Sequence, residues 1–260
     1  MVPETSIVDA WAYLVGCLVG LLLWVIIFCL RPDLRRRMLW VSFLLMPLGP
    51  IGERFFLVDY WRPPLILPIW YQGIEYGGLA DLIFAFAAGG IAATAYPVVT
   101  RQLARRAMRA TRRWLGFVFV GIMAGCIFFL PSAINSVVAS ILAFLLTAAV
   151  VCSVRPDLWL PALISGEVSA LTLATVEAVM SLVAPQHLQR YWLLYNTRWG
   201  IVIAGHVPLI EVVWAAAFGV AVGPLYDACL GNDFGRQVPS RGQIVSGHPP
   251  INQEVRERRQ

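Results

Sequence analysis

Apolar stretches close to the length of a bilayer-spanning helix recur along the whole chain, and polar or basic residues separate them. An α-helix rises about 1.5 Å per residue, so about 20 apolar residues cross the hydrocarbon core of a bilayer. The pattern predicts seven spans, at about 6–30, 38–57, 79–99, 114–133, 135–154, 158–183 and 200–229. We therefore expect an all-α polytopic membrane protein with seven transmembrane helices.

The second predicted span is the least regular of the seven. Its segment "MPLGPIGERFF" contains two prolines, two glycines and the charged pair Glu53-Arg54. Unwound backbone at membrane depth is tolerated where it lines a cavity or is buried in protein. Proline and glycine are also more frequent in membrane helices than in soluble ones, so the irregularity has a second, purely structural interpretation.

Every second loop is rich in basic residues, and this alternation indicates how the chain is oriented in the membrane. Arginines follow the first, third and fifth predicted spans and recur in the C-terminal tail, whereas the other loops hold fewer. Because cytoplasmic loops are enriched in basic residues, we expect the N-terminus outside and the C-terminus in the cytoplasm. The expected location is a prokaryotic cell membrane, in which the chain is an integral protein.

Composition agrees with this class of protein. Hydrophobic residues make up 59% of the chain and charged residues 13%, against about 25% charged in a soluble domain. The net charge of +5 follows from the arginine-rich loops, so we expect the lipid bilayer as a partner and no nucleic acid. Residues 230–260 are polar and rich in glycine and proline, which is typical of a disordered tail. The sequence does not indicate an oligomeric state.

The tetrapeptide RPDL occurs at 31–34 and again at 155–158, an offset of 124 residues, and Glu53 falls on Glu177 at the same offset. Tyr60-Trp61 matches Tyr191-Trp192 at an offset of 131. A third block, at an offset of 130, pairs Leu79, Asp81, Phe84, Ala85, Ala87, Gly89 and Tyr96 with Leu209, Glu211, Trp214, Ala215, Ala217, Gly219 and Tyr226. The conserved order of these matches indicates a tandem duplication.

The duplication predicts how the chain is divided. Repeat one covers 1–99 with three spans, a basic loop and a joining helix cover 100–134, repeat two covers 135–229 with three spans, and the tail covers 230–260. Because three spans are an odd number, the joining helix is needed to give both copies the same orientation. We expect two parallel three-helix repeats related by an axis along the membrane normal.

Ionisable side chains at membrane depth are costly and usually functional. The predicted spans contain Glu53, Arg54, Asp81, Glu167, Glu177, His206 and Glu211. Four of the acids form two repeat-related pairs, and their positions along the helices predict one common level in the outer half of the bilayer. We expect them to share one cavity. The structural alternative is that they pair with Arg54 or cap broken helices.

The helical faces that carry the third-span acids support an inward orientation. Positions four residues apart form one stripe of a helix. One stripe reads Asp81, Ala85, Gly89 and Ala93, and the other reads Glu211, Ala215, Gly219 and Gly223. Small residues allow close helix packing or leave room for a ligand, so both acids should face the bundle. Phe84 and Trp214, three residues after each acid, are candidates for facing a substrate.

Several kinds of site are not indicated by the sequence. The chain has no lysine, which a retinal Schiff base requires, and it has neither a GxGxxG motif after a strand nor a P-loop. The five cysteines show no zinc-ligand spacing. His206 and Glu211 are five residues apart, a poor spacing for two ligands on one helical face, so His206 is expected to be a buried, hydrogen-bonded histidine. We expect no cofactor and no metal.

The segment "HVPLIEVVWAAAFGVAVGPLYDA" resembles the lycopene cyclase domain, the membrane-embedded family found as two small subunits or as fused tandem copies. Pro208, Leu209 and Glu211 fall on the family's P-L-E-E motif, and the resemblance covers about residues 10–229. It implies a redox-neutral closure of the ends of a linear carotenoid into rings. This chemistry needs a proton donor, a dry apolar cavity and a base, and carboxyl groups can serve as donor and base.

By this resemblance Glu211 and Asp81, with Glu53 and Glu177, are the expected catalytic residues. The expected substrate contacts are Phe84, Trp214, Pro208 and His206, and aromatic faces can stabilise a carbocation. The chain departs from the motif, because Ile210 replaces the first of the two adjacent acids and repeat one reads "GLAD". Three alternatives therefore stay open: action on another isoprenoid, proton-coupled binding or transport of a hydrophobic ligand, and a non-catalytic structural subunit.

Overall fold

The computed structural model describes residues 7–102, 105–106, 111–129 and 134–233. These residues are mostly helical. The helices are α1 (Ile7–Leu30), α2 (Arg35–Leu45), α3 (Leu48–Asp59), α4 (Leu79–Thr100), α5 (Trp114–Phe129), α6 (Ser136–Val154), α7 (Trp159–Val183), α8 (His187–Tyr191) and α9 (Leu209–Leu230). Short 3-10 turns at Pro32–Leu34 and Pro156–Leu158 precede α2 and α7. The expected tail begins at 230, and its residues after 233 lie outside the described part of the chain.

Five of the described helical segments are long and apolar enough to cross a membrane: Trp11–Leu30, Leu79–Thr100, Ser136–Val154, Pro156–Val183 and Leu209–Leu230. The pair Pro32–Leu45 and Leu48–Asp59, bent by 43°, is a sixth candidate if it forms one broken span. Helix α5 is apolar but shorter. The length and composition of these helices therefore support a polytopic helical membrane protein. They give five or six candidate spans, fewer than the seven that the sequence predicted.

Short antiparallel strand pairs, which the sequence did not predict, lie outside the long helices. They are β1 (Trp70–Tyr71) with β2 (Ile74–Glu75), β3 (Arg105–Arg106) with β6 (Asn232–Asp233), and β4 (Val202–Ile203) with β5 (Val207–Pro208). The predicted start of the seventh span at 200 was wrong, because residues 202–208 form the β4–β5 hairpin and α9 begins only at Leu209.

The two RPDL segments adopt the same local structure. In each, the arginine donates two hydrogen bonds to the aspartate two residues later, from Arg31 to Asp33 at 3.0 and 2.8 Å and from Arg155 to Asp157 at 2.9 and 2.6 Å. The proline occupies the first turn, where the missing N–H costs no hydrogen bond. Arg31 also donates to the carbonyl of Pro97 at 2.8 Å, and Arg155 donates to the carbonyl of Asn232 at 2.7 Å.

The segments around the two Tyr-Trp pairs contact each other directly. Trp61 and Trp192 form an antiparallel bridge. On one side of it the Arg62 amide donates to the Tyr191 carbonyl at 2.8 Å, and on the other the Leu193 amide donates to the Tyr60 carbonyl at 3.0 Å. The residues 60–62 and 191–193 are related by the same offset of 131 that aligns the sequence, so exchanging the two segments leaves this contact unchanged.

The predicted stripes of small residues form close helix contacts. A Cβ atom at Gly89 of α4 would lie 2.8 Å from Leu45 Cδ1 of α2, and a Cβ atom at Gly219 of α9 would lie 2.3 Å from the Ser165 carbonyl oxygen of α7. Glycine is therefore needed where α9 approaches the backbone of α7. These contacts hold α4 against α2 and α3, and α9 against α7, with the acids at the first turns of α4 and α9 facing inward.

A buried ion pair joins the two halves near the C-terminal end of α9, far from Glu211 in the first turn of this helix. The Arg37 guanidinium of α2 contacts the Asp227 carboxylate of α9 at 3.0 and 2.7 Å, and it also donates to the Gly223 carbonyl at 3.2 Å. Arg37 is 6% exposed and Asp227 is fully buried. Removing one partner of such a pair leaves an uncompensated buried charge, so this contact fixes the position of α2 relative to α9.

Candidate functional site

A cavity of about 190 Å³ is lined by residues of α3, α4, α5, α6, α7 and α9, together with one residue each of α1 and α2. Its wall is mostly apolar and aromatic, and four carboxyl groups line it: Glu53, Asp81, Glu177 and Glu211. The structure thus brings together in one space all four acids that the repeat singled out. No arginine, lysine or histidine is among the described residues that line the cavity.

The acids of repeat one, Glu53 and Asp81, are 5% and 2% exposed. Asp81 accepts hydrogen bonds from the Tyr13 hydroxyl at 2.5 Å and from the Gly78 amide at 2.6 Å. Gly77 leaves room for both side chains, because a Cβ atom there would lie 2.7 Å from Asp81 Oδ2 and 3.1 Å from Glu53 Cβ. Glu53 Oε1 is buried without a hydrogen-bond partner in the described part of the chain.

The acids of repeat two have a similar arrangement. Glu177 is 7% exposed, and its carboxyl group interacts electrostatically with that of Glu211. The Tyr60 hydroxyl donates a hydrogen bond to Glu211 Oε1. Glu177 Oε2 is buried and lacks a hydrogen-bond partner among the residues described. Each repeat therefore supplies one acid that a tyrosine holds and one acid with an unpartnered oxygen atom.

The two tyrosines are the site residues that sequence reasoning missed. The sequence identified Tyr60 only as part of the Tyr60-Trp61 match between the repeats, without linking it to Glu211, and Tyr13 lies 68 positions before the aspartate that it contacts. No spacing pattern connects residues so far apart. The repeat gave no signal either, because the offset of 124 places Val137 at the position corresponding to Tyr13.

Aromatic rings form one wall of the cavity and include both rings that the sequence predicted. Phe84 and Trp214 both line it, with ring centroids 6.0 Å apart. Trp214 stacks on Phe218 at 5.6 Å, and its indole N–H donates to Ser140 Oγ at 3.0 Å. This contact fixes the orientation of the Trp214 ring within the cavity wall.

His206 and Pro208, two of the expected substrate contacts, are not among the described residues that line the cavity. His206 lies in the β4–β5 hairpin with its side chain exposed, and its carbonyl accepts a hydrogen bond from Ser181 at 2.8 Å. It is therefore not the buried histidine that the sequence suggested. Pro208 is buried directly before α9, where its φ of −64° suits a helix start. The error about the burial of His206 follows from placing the start of the last span too early.

The alternative structural roles of the acids are only partly seen. Arg54 makes no ion pair with an acid among the described residues, so charge pairing with Arg54 does not explain the buried carboxyl groups. Asp81 does cap the first turn of α4 through the Gly78 amide. Capping leaves Glu53 and Glu177 unexplained, because Glu53 lies in the middle of α3 and Glu177 lies six residues before the end of α7.

The irregular second span contains a short break and no long unwound segment. The helix is interrupted only at residues 46–47, and residues 48–59 are helical through the glycines and Pro50. The 43° bend at the break redirects α3. A Cβ atom at Gly49 would lie 2.2 Å from the Asp81 carbonyl oxygen, so α3 approaches the first turn of α4 closely. The bend thereby places Glu53 beside Asp81.

A second, smaller cavity of about 30 Å³ lies between α1, α4, α7 and α9. It shares Phe84, Ala88, Trp214 and others with the wall of the large cavity. Its residues Gly16 and Gly20 correspond, at the offset of 124, to Ser140 and Phe144 of the large cavity. No carboxyl group is among the described residues that line it. The acids of both repeats thus face the same side of the Phe84–Trp214 wall.

The described residues contain no group of three or more His, Cys, Asp and Glu side chains placed to hold a metal ion. The chemistry that the site offers is that of paired carboxyl groups in an apolar, aromatic surrounding. No family model, no curated protein and no solved structure matches the chain.

Proposed function

We propose that the protein is an intramembrane cyclase that closes the end of a linear isoprenoid hydrocarbon into a ring without net oxidation or reduction, in the manner of the lycopene cyclase domain. The convergence of four carboxyl groups from both halves on one apolar cavity supports this proposal most strongly. Carboxyl groups in such a surrounding can deliver and remove protons.

The composition of the cavity wall favours a neutral hydrocarbon substrate. Phosphate groups are bound by arginine, lysine, backbone amides or bound cations, and the described wall contains no basic side chain. Phenylalanine and tryptophan rings suit an apolar polyene and can stabilise a cation formed from it. An isoprenoid diphosphate would place its negative charges beside four carboxyl groups, which disfavours it.

The reaction requires one proton in and one proton out. A carboxylic acid adds its proton to a terminal C=C bond of the substrate, and the resulting carbocation is attacked by the π electrons of a second C=C bond, which forms the ring C–C bond. A carboxylate then removes a proton from a neighbouring carbon, which creates the ring C=C bond. The elemental composition is unchanged, and no electron acceptor is consumed.

The pairing of the acids suggests which of them has which role. Two like charges facing each other in an apolar site repel, so one shared proton per pair is favoured. The tyrosine hydroxyls stabilise the ionised forms of Asp81 and Glu211, which we assign as bases. Glu53 and Glu177, each with an unpartnered oxygen atom, are assigned as proton donors.

This assignment accounts for the departure from the P-L-E-E motif. The position of the first motif acid is Ile210, but Glu177 of α7 lines the same cavity as Glu211. A second carboxyl group is thus supplied by a neighbouring helix. We further propose seven spans arranged as two parallel repeats joined by α5, with the N-terminus outside and the C-terminus cytoplasmic in a prokaryotic membrane. The exchange-symmetric contact of residues 60–62 with 191–193 supports the repeats.

The test uses membranes containing the full chain, incubated with lycopene in D₂O. We expect ring-containing products that carry one non-exchangeable deuterium per ring, because the added proton comes from a carboxyl group that exchanges with solvent. Unchanged lycopene would contradict the cyclase proposal. The transport alternative would be favoured by a different result: lycopene stays unchanged, and protons enter vesicles together with a transported ligand in the wild-type protein but not in Glu211→Gln.

A further inference from the structure

One side of the large cavity opens to the exposed surface of the helix bundle. Leu48 and Ile51 of α3 line the cavity, and yet they are 41% and 44% exposed. A side chain that contacts both the cavity and the surroundings lies at the mouth of the cavity. Phe119 and Met123 of α5 also line the cavity, and the neighbouring Val120 of α5 is 58% exposed. The opening therefore lies between α3 and α5.

Two features of the described residues leave this opening unfilled. Helix α3 is redirected by the 43° bend. At Gly52, which also lines the cavity, an added Cβ atom would meet one atom of the described residues within 4 Å, a Phe56 ring carbon at 4.0 Å. At one end the opening is bounded by a contact between the Phe55 and Phe128 rings, whose centroids are 5.8 Å apart.

The surface around the opening is apolar. Leu44 of α2 is 71% exposed, and Phe117 and Val120 of α5 are 79% and 58% exposed. Exposed apolar side chains on helices of a membrane protein face lipid chains, because contact with water would be unfavourable. The opening therefore connects the cavity with the hydrocarbon core of the bilayer.

We propose that a linear hydrocarbon dissolved in the bilayer reaches the four carboxyl groups sideways, between α3 and α5, and that Gly52 sets the width of this path. The identity of the hydrocarbon rests on the proposed cyclase function. The cavity of about 190 Å³ is smaller than the ~300–1,000 Å³ of pockets that enclose a whole drug-sized ligand. Only the reacting end of the chain enters it, and the remainder stays in the opening and the bilayer.

The first test measures access without requiring turnover. The full-length protein in phospholipid vesicles is photolabelled with an apolar diazirine dissolved in the bilayer, and the labelled residues are mapped by mass spectrometry. We expect labelling of Trp214 in the cavity and of Phe117 on the lipid-facing surface. Lycopene should reduce the Trp214 signal at least fivefold, and the Phe117 signal should stay constant.

The second test narrows the path at Gly52. Gly52→Leu should reduce both Trp214 labelling and lycopene conversion about tenfold or more, since the new side chain occupies the opening. Gly121→Leu on α5 is the matched control, because a Cβ atom there has no neighbour within 4 Å among the described residues and Gly121 does not line the cavity. It should leave labelling and conversion unchanged.

The outcomes separate this inference from the proposed function. Absence of Trp214 labelling in the wild-type protein overturns the lateral path, as does equal Trp214 labelling in the wild-type and Gly52→Leu proteins. If Gly52→Leu does not fold, Gly52→Ala replaces it, with a smaller reduction expected in the same direction. Labelling that behaves as expected, with lycopene left unconverted, supports the path and contradicts the cyclase.

Discussion

The Tyr60 hydroxyl donates a hydrogen bond to Glu211, and phenylalanine at position 60 removes this contact while keeping the ring. The ring of Tyr60 packs against Phe56 at 5.5 Å between centroids, a contact that phenylalanine retains. A hydrogen bond to a charged group contributes about 1.5–3 kcal/mol, and about 1.4 kcal/mol corresponds to a tenfold change in rate. Where Glu177 and Glu211 share one proton, loss of this hydrogen bond favours the proton on Glu211. Tyr60→Phe should therefore deplete the form in which Glu211 is the ionised base and lower kcat for lycopene conversion roughly 10- to 150-fold.

The assay measures initial rates of ring formation by chromatography of pigments, in vesicles reconstituted with equal amounts of wild-type and variant protein. Tyr195→Phe is the control, because its hydroxyl accepts a hydrogen bond from Gln189 at 3.2 Å in an exposed position. The melting temperatures of both variants in detergent show whether a lower rate reflects loss of fold. A Tyr60→Phe protein with the kcat of the wild type would refute the role given to this hydrogen bond.

Two further predictions concern the packing that positions the site. Asp227→Ala leaves Arg37 buried without its carboxylate, so the free energy of unfolding in detergent should fall by about 3–5 kcal/mol; Asp33→Ala, at the more exposed Arg31–Asp33 pair, should change it by about 1 kcal/mol or less. Gly219→Leu should prevent a stable fold, since a Cβ atom would lie 2.3 Å from the Ser165 carbonyl oxygen. A size-exclusion profile and melting temperature equal to those of the wild type would contradict this second expectation.

The positions of the helices and the meeting of the acids could be predicted from the sequence because both depend on simple periodicities. Apolar stretches indicated all the long helices, and the repeat offsets identified Glu53, Asp81, Glu177 and Glu211 as related positions. The stripes of small residues below Asp81 and Glu211 then indicated which helical face is turned inward. These features depend on spacing within one helix or on comparison of the two halves.

The remaining features depend on contacts between distant residues. The hydrogen bond of Tyr13 with Asp81 has no periodic signal, and neither has the position of Gly52 at the opening. The hairpin that contains His206 is apolar enough to resemble the beginning of a span, so hydropathy placed this residue inside the membrane. An irregularity was expected in the segment that precedes Glu53, but the structure confines the break to residues 46–47, and the residues directly before Glu53 are helical.

The most direct test of the central claim compares Glu177→Gln with Glu167→Gln in the lycopene assay. Both residues belong to α7, but Glu177 is buried in the wall of the cavity that Glu211 also lines, whereas Glu167 is exposed and is not among the described residues that line it. Glutamine keeps the size of glutamate and cannot donate the carboxyl proton. If carboxyl groups from both halves act together in one cavity, Glu177→Gln abolishes ring formation and Glu167→Gln retains it. Equal activity of the two variants would contradict the claim.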